Sequence, residues 1–275
     1  MFFVDLLPVP KMKTVAELMN LRGRTAVVTG GAGHIGSAIC DALAELGASV
    51  AVLDHAPEAA AERIAAGHGV KTLPLPVDLA DEAAVRAVPA AVVGALGSLD
   101  ILVHCAALVG TSGLPGWGVP FAEQSADTWR QALEINLTSA FILTQAAAEP
   151  LARSGRGSVI TVGSIYGVVG PDLGLYEGTK MGNPAAYAAS KGGLLQFTRW
   201  LATVMAPHVR ANMITPGGVE RGQSDTFRQR YLKRTPLGRM ATEEDFKGAA
   251  AYLASDLSAY VTGQNIIVDG GWTAW

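Results

Sequence analysis

Charge is scarce in this chain. Asp, Glu, Lys and Arg make up only 16% of its 275 residues and nearly cancel, to a formal net charge of −3. No basic run stands out, which argues against a nucleic-acid surface. Cysteine is rarer still. Cys40 and Cys105 are too few for a disulfide framework or a zinc cluster, and they fit a reducing compartment. Long apolar runs are missing as well. The opening MFFVDLLPVPKMK holds Asp5 and two prolines, with no basic region ahead of its short apolar stretch. That pattern is neither a secretory signal nor a bilayer span. The expectation is a cytoplasmic protein with no metal, no nucleic acid and no membrane among its partners, and with an arm over residues 1–20.

Apolar residues, at 49%, are ample for one large core over residues 21–275. Glycine is abundant, with 32 residues, and forecasts tight turns and close backbone approaches. Short β-branched runs alternate with Ala/Leu-rich stretches. Strands are expected over 25–30, 49–54, 70–78, 99–106, 157–164, 209–216 and 264–271. Helices are expected over 37–47, 57–66, 80–96, 125–152, 184–205 and 243–254. This βαβα order predicts a single-domain, doubly wound, seven-stranded parallel α/β sheet with helices on both faces. Ligands bind such sheets beyond the carboxyl ends of the strands.

After the first strand comes Thr29-Gly30-Gly31-Ala32-Gly33-His34-Ile35-Gly36, then a helix. Gly31, Gly33 and Gly36 fit G-x-G-x-x-G, the pattern that lets a backbone approach a dinucleotide's pyrophosphate at a helix N-terminus. Asp54 follows Gly36 by eighteen residues, at the end of the second strand. An acidic group there accepts hydrogen bonds from the adenosine ribose and repels a 2′-phosphate, which favours NAD over NADP. His55 would weaken that repulsion if protonated. Asp78 ends the third strand, either as an adenine contact or as a helix N-cap.

Tyr187 and Lys191, in YAASK, are four apart and share one face of a helix. An ammonium beside a phenol favours phenolate and draws its pKa down towards neutrality, which suits a general acid/base. Tyr176 and Lys180 have the same spacing. Glycines surround them, whereas Asn183-Pro184 offers a helix N-cap and first-turn proline just ahead of Tyr187. The later pair is therefore preferred, and the earlier one is assigned to a substrate loop.

TGGAGHIG, Asn136 in LEINLTSAF, Ser164 in VITVGSIYG, YAASK and the Pro216-Gly217 after ANMIT together resemble the short-chain dehydrogenase/reductase family. The resemblance runs from about Arg24 to the C-terminus and implies a Rossmann fold of the single-domain branch. It implies that Tyr187 is the acid/base and that Lys191 holds the nicotinamide ribose. Ser164 would bond the substrate oxygen, and Asn136 would place a water in the proton relay. Cofactor contacts would come from Gly30, Gly31, Gly33, His34, Ile35, Gly36, Asp54, Asp78, Leu79, Cys105, Ala106, Ala107, Tyr187, Lys191, Pro216, Gly217 and Val219. Substrate contacts would come from Ser164, Tyr166, Tyr176, Tyr187, Gly218 and Arg221. The family commonly forms homotetramers, so a tetramer or dimer is expected.

Several features depart from the family pattern. His34 stands where the single-domain branch usually has glycine. His104-Cys105-Ala106-Ala107 replaces Asn-Asn-Ala-Gly, with Cys105 read as a packing residue rather than a nucleophile. The Ser164 to Tyr187 interval is longer than is common, and the extra piece around 171–183 is polar and glycine-rich. A second Gly/Pro-rich loop spans 109–120. After Pro216, the segment with Arg221, Arg228, Arg230, Lys233 and Arg234 resembles the family's substrate lid. Its basic cluster suggests an anionic, sugar-derived substrate, or a solvated helix face or subunit contact. The insertion and the WTAW ending resemble members from surface-polysaccharide sugar pathways. A 3-oxoacyl-thioester or other small-ketone reductase, or a dinucleotide-binding protein without turnover, is the alternative.

Overall fold

The computed structural model describes residues 12–110, 112–179 and 181–275. Residues 1–11 of the expected arm, and Lys180 of the substrate loop, lie outside them.

Strand residues here are β-branched or apolar on both faces, as a doubly covered sheet requires. The strands are β1 (Thr25–Thr29), β2 (Ser49–Asp54), β3 (Thr72–Pro76), β4 (Ile101–His104), β5 (Gly157–Val162), β6 (Val209–Pro216) and β7 (Asn265–Val268). They form one parallel sheet in the order β3-β2-β1-β4-β5-β6-β7. The order reverses between β1 and β4, which opens a crevice beyond their carboxyl ends. Register lines up that rim: Thr29 lies beside Leu53 and His104, and His104 beside Thr161. β3 carries Pro74 and Pro76 and takes the edge, where a missing N–H costs least.

Period-two alternation sends Val28, Val50, Val103 and Ile160 to one core. There they meet α2 (His34–Glu45), α3 (Glu58–His68) and α9 (Lys247–Ala254). Val27, Leu102, Val159 and Ala211 point the other way. They meet α4 (Glu82–Leu96), α6 (Ser139–Arg153) and α7 (Ala185–Val204).

The boundaries correct the sequence reading in four places. Inside the expected arm, Thr14 makes a capping box with Glu17 and starts a short helix, α1 (Val15–Met19). Asp78 does not cap α4: Asp81 does, accepting from the Ala84 N–H at 3.0 Å, while Asp78 closes a turn on Ala80. The long helix expected over 125–152 breaks into α5 (Ala126–Leu133), a π-helical turn (Glu134–Thr138) and α6. Asn136 sits in that turn and bonds outside its own helix. The lid segment contains an unforeseen helix, α8 (Asp225–Arg234), capped by Ser224.

One buried charge ties the bottom of the sheet. Asp100, 1% exposed, accepts from the Thr25 N–H at 2.8 Å, Ser98 Oγ at 2.6 Å and Arg156 Nε at 3.0 Å. Asp100→Ala strands the buried Thr25 donor and is expected to cost about 2–3 kcal/mol in urea unfolding. A loss below about 0.5 kcal/mol would mean that the carboxylate carries no such load.

Candidate active site

The glycine loop is tight because its own backbone leaves no room. Gly30 turns at φ 66°, and a Cβ there would stand 2.9 Å from the Ala106 backbone; one on Gly36 would overlap the Gly30 carbonyl. α2 therefore starts hard against the end of β1. Its N-cap, Gly33, provides no side-chain cap, and its first turn, with His34 and Ile35, holds no acidic residue. An uncapped helix start behind a side-chain-free loop fits the diphosphate of a dinucleotide. Asp54 flanks it: Oδ2 accepts from the Ala32 N–H at 3.1 Å and Oδ1 from the His55 N–H at 2.8 Å. Asp78 lies beyond β3, followed by buried Leu79.

Thr29 joins the two sides of the crevice. Its Oγ1 accepts from the Cys105 and Ala106 N–H groups, at 3.1 Å each; Ala107 follows. Burial pushes the Cys105 thiol up to about 11, which keeps it protonated and fits a packing role. His104 is buried and bonds Thr144 Oγ1 at 2.7 Å. Burial, and secondarily the charge of Lys191, push its pKa down to about 3, so a neutral imidazole stands where an amide was expected. On the far side Pro216 ends β6, Gly217 donates to the Val268 carbonyl at 2.9 Å, and Val219 bridges to Ala241.

Tyr187 and Lys191 lie on α7, not in the loop that holds Tyr176. Pro184 is itself the N-cap and makes no side-chain cap bond, so Asn183 does not cap the helix as expected. Gly193 brings α7 in: a Cβ there would stand 2.8 Å from Leu137. Lys191, 2% exposed, donates from Nζ to the Val162 carbonyl at 2.7 Å and stands 5.9 Å from the Tyr187 ring centroid. Ser164 follows β5 and accepts from the Tyr166 N–H at 3.2 Å. Asn136 Nδ2 donates to the Leu108 carbonyl at 3.1 Å and to Ser190 Oγ at 3.0 Å; its Oδ1 accepts from the Leu108 N–H at 2.7 Å. That amide clamps the loop after β4 onto the helix of Tyr187.

One expectation is reversed. Burial raises the Tyr187 phenol above its ordinary pKa, and Ser164 opposes the rise. Desolvation of the phenolate is the largest effect, and the Lys191 ammonium donates to the Val162 carbonyl rather than to the phenol.

On the substrate side, the arginines of the lid are engaged within the protein. Arg234 meets Asp172 Oδ2 at 2.6 Å, and Arg230 donates to the Gly174 and Glu177 carbonyls at 3.0 and 2.6 Å. Arg228 meets Glu220 at 3.1 Å, and Arg221 pairs with Glu243, which also lies 3.5 Å from His34. The basic cluster is thus a brace between α8 and the insertion, not a ready anion site. Gly218 donates to the Tyr231 hydroxyl. Tyr166 and Tyr176 share a hydroxyl–hydroxyl bond of 2.7 Å. Phe227 packs on Tyr176 at 5.4 Å, and Trp272 stacks on Tyr231 at 6.0 Å. The sequence reading missed Phe227, Tyr231, Trp272 and Asn183; the only available signal was a Phe/Tyr pair at helical spacing in the lid.

Among the described residues no three His, Cys, Asp or Glu side chains gather to hold a metal ion, and no helix is long and apolar enough to cross a membrane.

Fold and site together define a dinucleotide-fold oxidoreductase with a tyrosine–lysine pair. A family model described as enoyl-(acyl carrier protein) reductase matches residues 30–273. The 3-oxoacyl-(acyl-carrier-protein) reductase of Escherichia coli strain K12 is 32% identical over 92% of this chain and 98% of its own. A cis-4-hydroxycyclohexanecarboxylate dehydrogenase of Sinomonas cyclohexanicum is 34% identical over 91% and 97%. A crystal structure of a gluconate 5-dehydrogenase from Burkholderia cenocepacia, in complex with NADP and tartrate, superposes with TM-score 0.84 at 29% identity, covering 95% of this chain and 100% of that one. The chain belongs to the short-chain dehydrogenase/reductase family, whose members are oxidoreductases acting on CH–OH groups with nicotinamide cofactors.

The buried lysine makes stability depend on pH. Burial lowers the Lys191 pKa from 10.5 to about 8. The cost of holding its charge is therefore constant below pH about 8 and is relieved as pH rises towards 10.5, where the unfolded chain still binds the proton. Relative to Lys191→Met, the parent should gain up to about 3 kcal/mol across that window in urea unfolding. A flat difference would overturn the burial argument.

Proposed function

We propose that the chain is an NAD(H)-dependent oxidoreductase. It would interconvert a secondary alcohol and a carbonyl on a sugar-like compound, through one catalytic domain over residues 21–275. The observation that carries this reading is the Tyr187 phenol, partly buried between Ser164 and the helix-borne ammonium of Lys191. Tyr187 takes the hydroxyl proton in oxidation and returns it in reduction, while Ser164 holds the substrate oxygen. Lys191 keeps positive charge near both the phenol and the cofactor's ribose, and Asn136 fixes the helix that carries them. When bound, the nicotinamide supplies or accepts the hydride.

Asp54 supports NAD over NADP, because its carboxylate is pinned to the Ala32 N–H at the rim of β2, where a 2′-phosphate would meet it. The two free thiols, Cys40 and Cys105, suit a reducing, cytoplasmic setting. A second reading, reduction of a 3-oxoacyl thioester, draws on the names of the family model and of the E. coli relative.

Tyr187→Phe should lower turnover by at least about a thousandfold in either direction. NADH, detected by its fluorescence, should still bind, and should bind more tightly than NADPH. Unchanged turnover would remove the tyrosine from the mechanism, and tighter NADPH binding would remove the assignment of Asp54.

A homotetramer or homodimer is supported by an apolar stripe on α5, α6 and α7. Trp129, Phe141, Trp200 and Val204 are 39%, 42%, 55% and 52% exposed, and Phe197 stacks on Trp200 at 6.2 Å. A patch of this kind suits burial against a second copy. Light scattering should give a dimer or tetramer; a monomer at micromolar concentration would refute the reading.

A further inference from the structure

Two buried polar atoms on the substrate side have no hydrogen-bond partner among the described residues. Asn183 Oδ1 is an acceptor and Trp272 Nε1 a donor. Both adjoin the same tyrosine. Trp272, 3% exposed, meets the Tyr166 ring edge-on at 6.3 Å. The Asn183 amide lies near the Tyr166 and Tyr176 phenols and acts on both. Those phenols already bond each other. The place is close to the chemistry: Tyr166 follows Ser164 by two residues, Asn183 precedes Tyr187 by four, and Tyr176 acts electrostatically on the Tyr187 phenol.

A buried donor or acceptor left unpaired is destabilising, and folded proteins rarely leave one without a reason. The cluster that holds Tyr166 and Trp272 also contains Ile165, Leu175, Phe227, Tyr231 and Met240; its hydroxyls are engaged elsewhere, Tyr166 with Tyr176 and Tyr231 with the Gly218 N–H. Among the described residues none supplies the match, and a ligand group from outside can. An alkyl chain satisfies neither atom. A carboxylate accepts from the indole but gives nothing to the amide oxygen. Hydroxyl groups both donate and accept.

We propose that Asn183 and Trp272 form a subsite for hydroxyl groups of the substrate away from the carbon served by Tyr187, so that the enzyme selects polyhydroxylated alcohols over mono-alcohols and acyl chains. This inference rests on the oxidoreductase reading and narrows its substrate class. It also replaces charge with hydroxyl pattern as the basis of recognition, since the lid arginines are engaged elsewhere.

The test compares cis-1,2-cyclohexanediol with cyclohexanol, using the full-length protein and NAD+. Two quantities are read: the formation of reduced nicotinamide, and the melting temperature of the protein–cofactor mixture with each alcohol. The parent should favour the diol in kcat/KM by about tenfold or more, as a site with unpaired buried polar atoms discriminates. The diol alone should raise the melting temperature. Asn183→Leu and Trp272→Phe should each cut the preference by about tenfold, the scale of one lost buried hydrogen bond. Asn183→Asp, which keeps the acceptor, should retain it. Equal kcat/KM for the two alcohols, or a preference that survives both Asn183→Leu and Trp272→Phe, overturns the subsite. Turnover of both alcohols that depends on Tyr187 but ignores the second hydroxyl leaves the oxidoreductase reading standing and removes this one. If neither alcohol is oxidised, a diol-specific rise in melting temperature still supports the subsite, and its absence overturns it.

Discussion

A lysine ammonium without solvent is the constraint around which this molecule is arranged. Lys191 is almost wholly buried and has one fixed acceptor, the Val162 carbonyl at the end of β5. Burying a charge is costly unless it is paired or bonded, so helix and strand must be held together closely. Gly193 lets α7 settle against Leu137, and Asn136 bonds Ser190 from a turn widened to reach it. The departure of the 134–138 turn from regular α-helix is thus part of the same construction. His104 fits it as well: a neutral ring can stand near the ammonium, where a second cation could not.

Much of the frame was legible because it rests on periodicity and backbone sterics. Strand order, the seven strands and the helix carrying Tyr187 follow from apolar alternation and from glycines that only a close turn requires. The Tyr176 and Tyr187 pairs were separable because glycines around the first deny it a helix. Local patterns failed where a side chain answers to tertiary partners. Asn183 looks like a cap in sequence, and its amide instead lies near the phenols of Tyr166 and Tyr176. Asp78 and Asp81 are both capping types, and only backbone direction selects the second. The expected lowering of the tyrosine pKa considered one neighbour and left out desolvation, which proved the larger effect.

The lid shows the same limit in its charges. A run of arginines after Pro216 invites an anionic ligand, yet charge in sequence carries no information about where its counter-charge lies. Asp172, sixty-two residues earlier in the insertion, answers Arg234; carbonyls of that insertion answer Arg230. Insertion and lid helix therefore constrain each other, and the length added between Ser164 and Tyr187 has a structural counterpart in α8. Exposed ion pairs alone would hold such a wall weakly. The Phe227–Tyr176 contact and the Tyr231–Trp272 stack supply the buried area that the arginines lack.

That aromatic filling also decides what a polar group in the wall can mean. In an open cleft, water would satisfy an amide oxygen or an indole N–H, and neither would carry information about a ligand. Behind Phe227, Met240 and Trp272 solvent is displaced, so an unpaired atom retains its full desolvation cost. The Tyr187 phenol is closed off by a different group, Trp117, Ala132 and Ala186 with Leu108 and Leu114. Two separate apolar closures therefore meet at the β5 and α7 ends: the loop after β4 with α5 around Tyr187, and the lid with the C-terminus around Tyr166 and Tyr176.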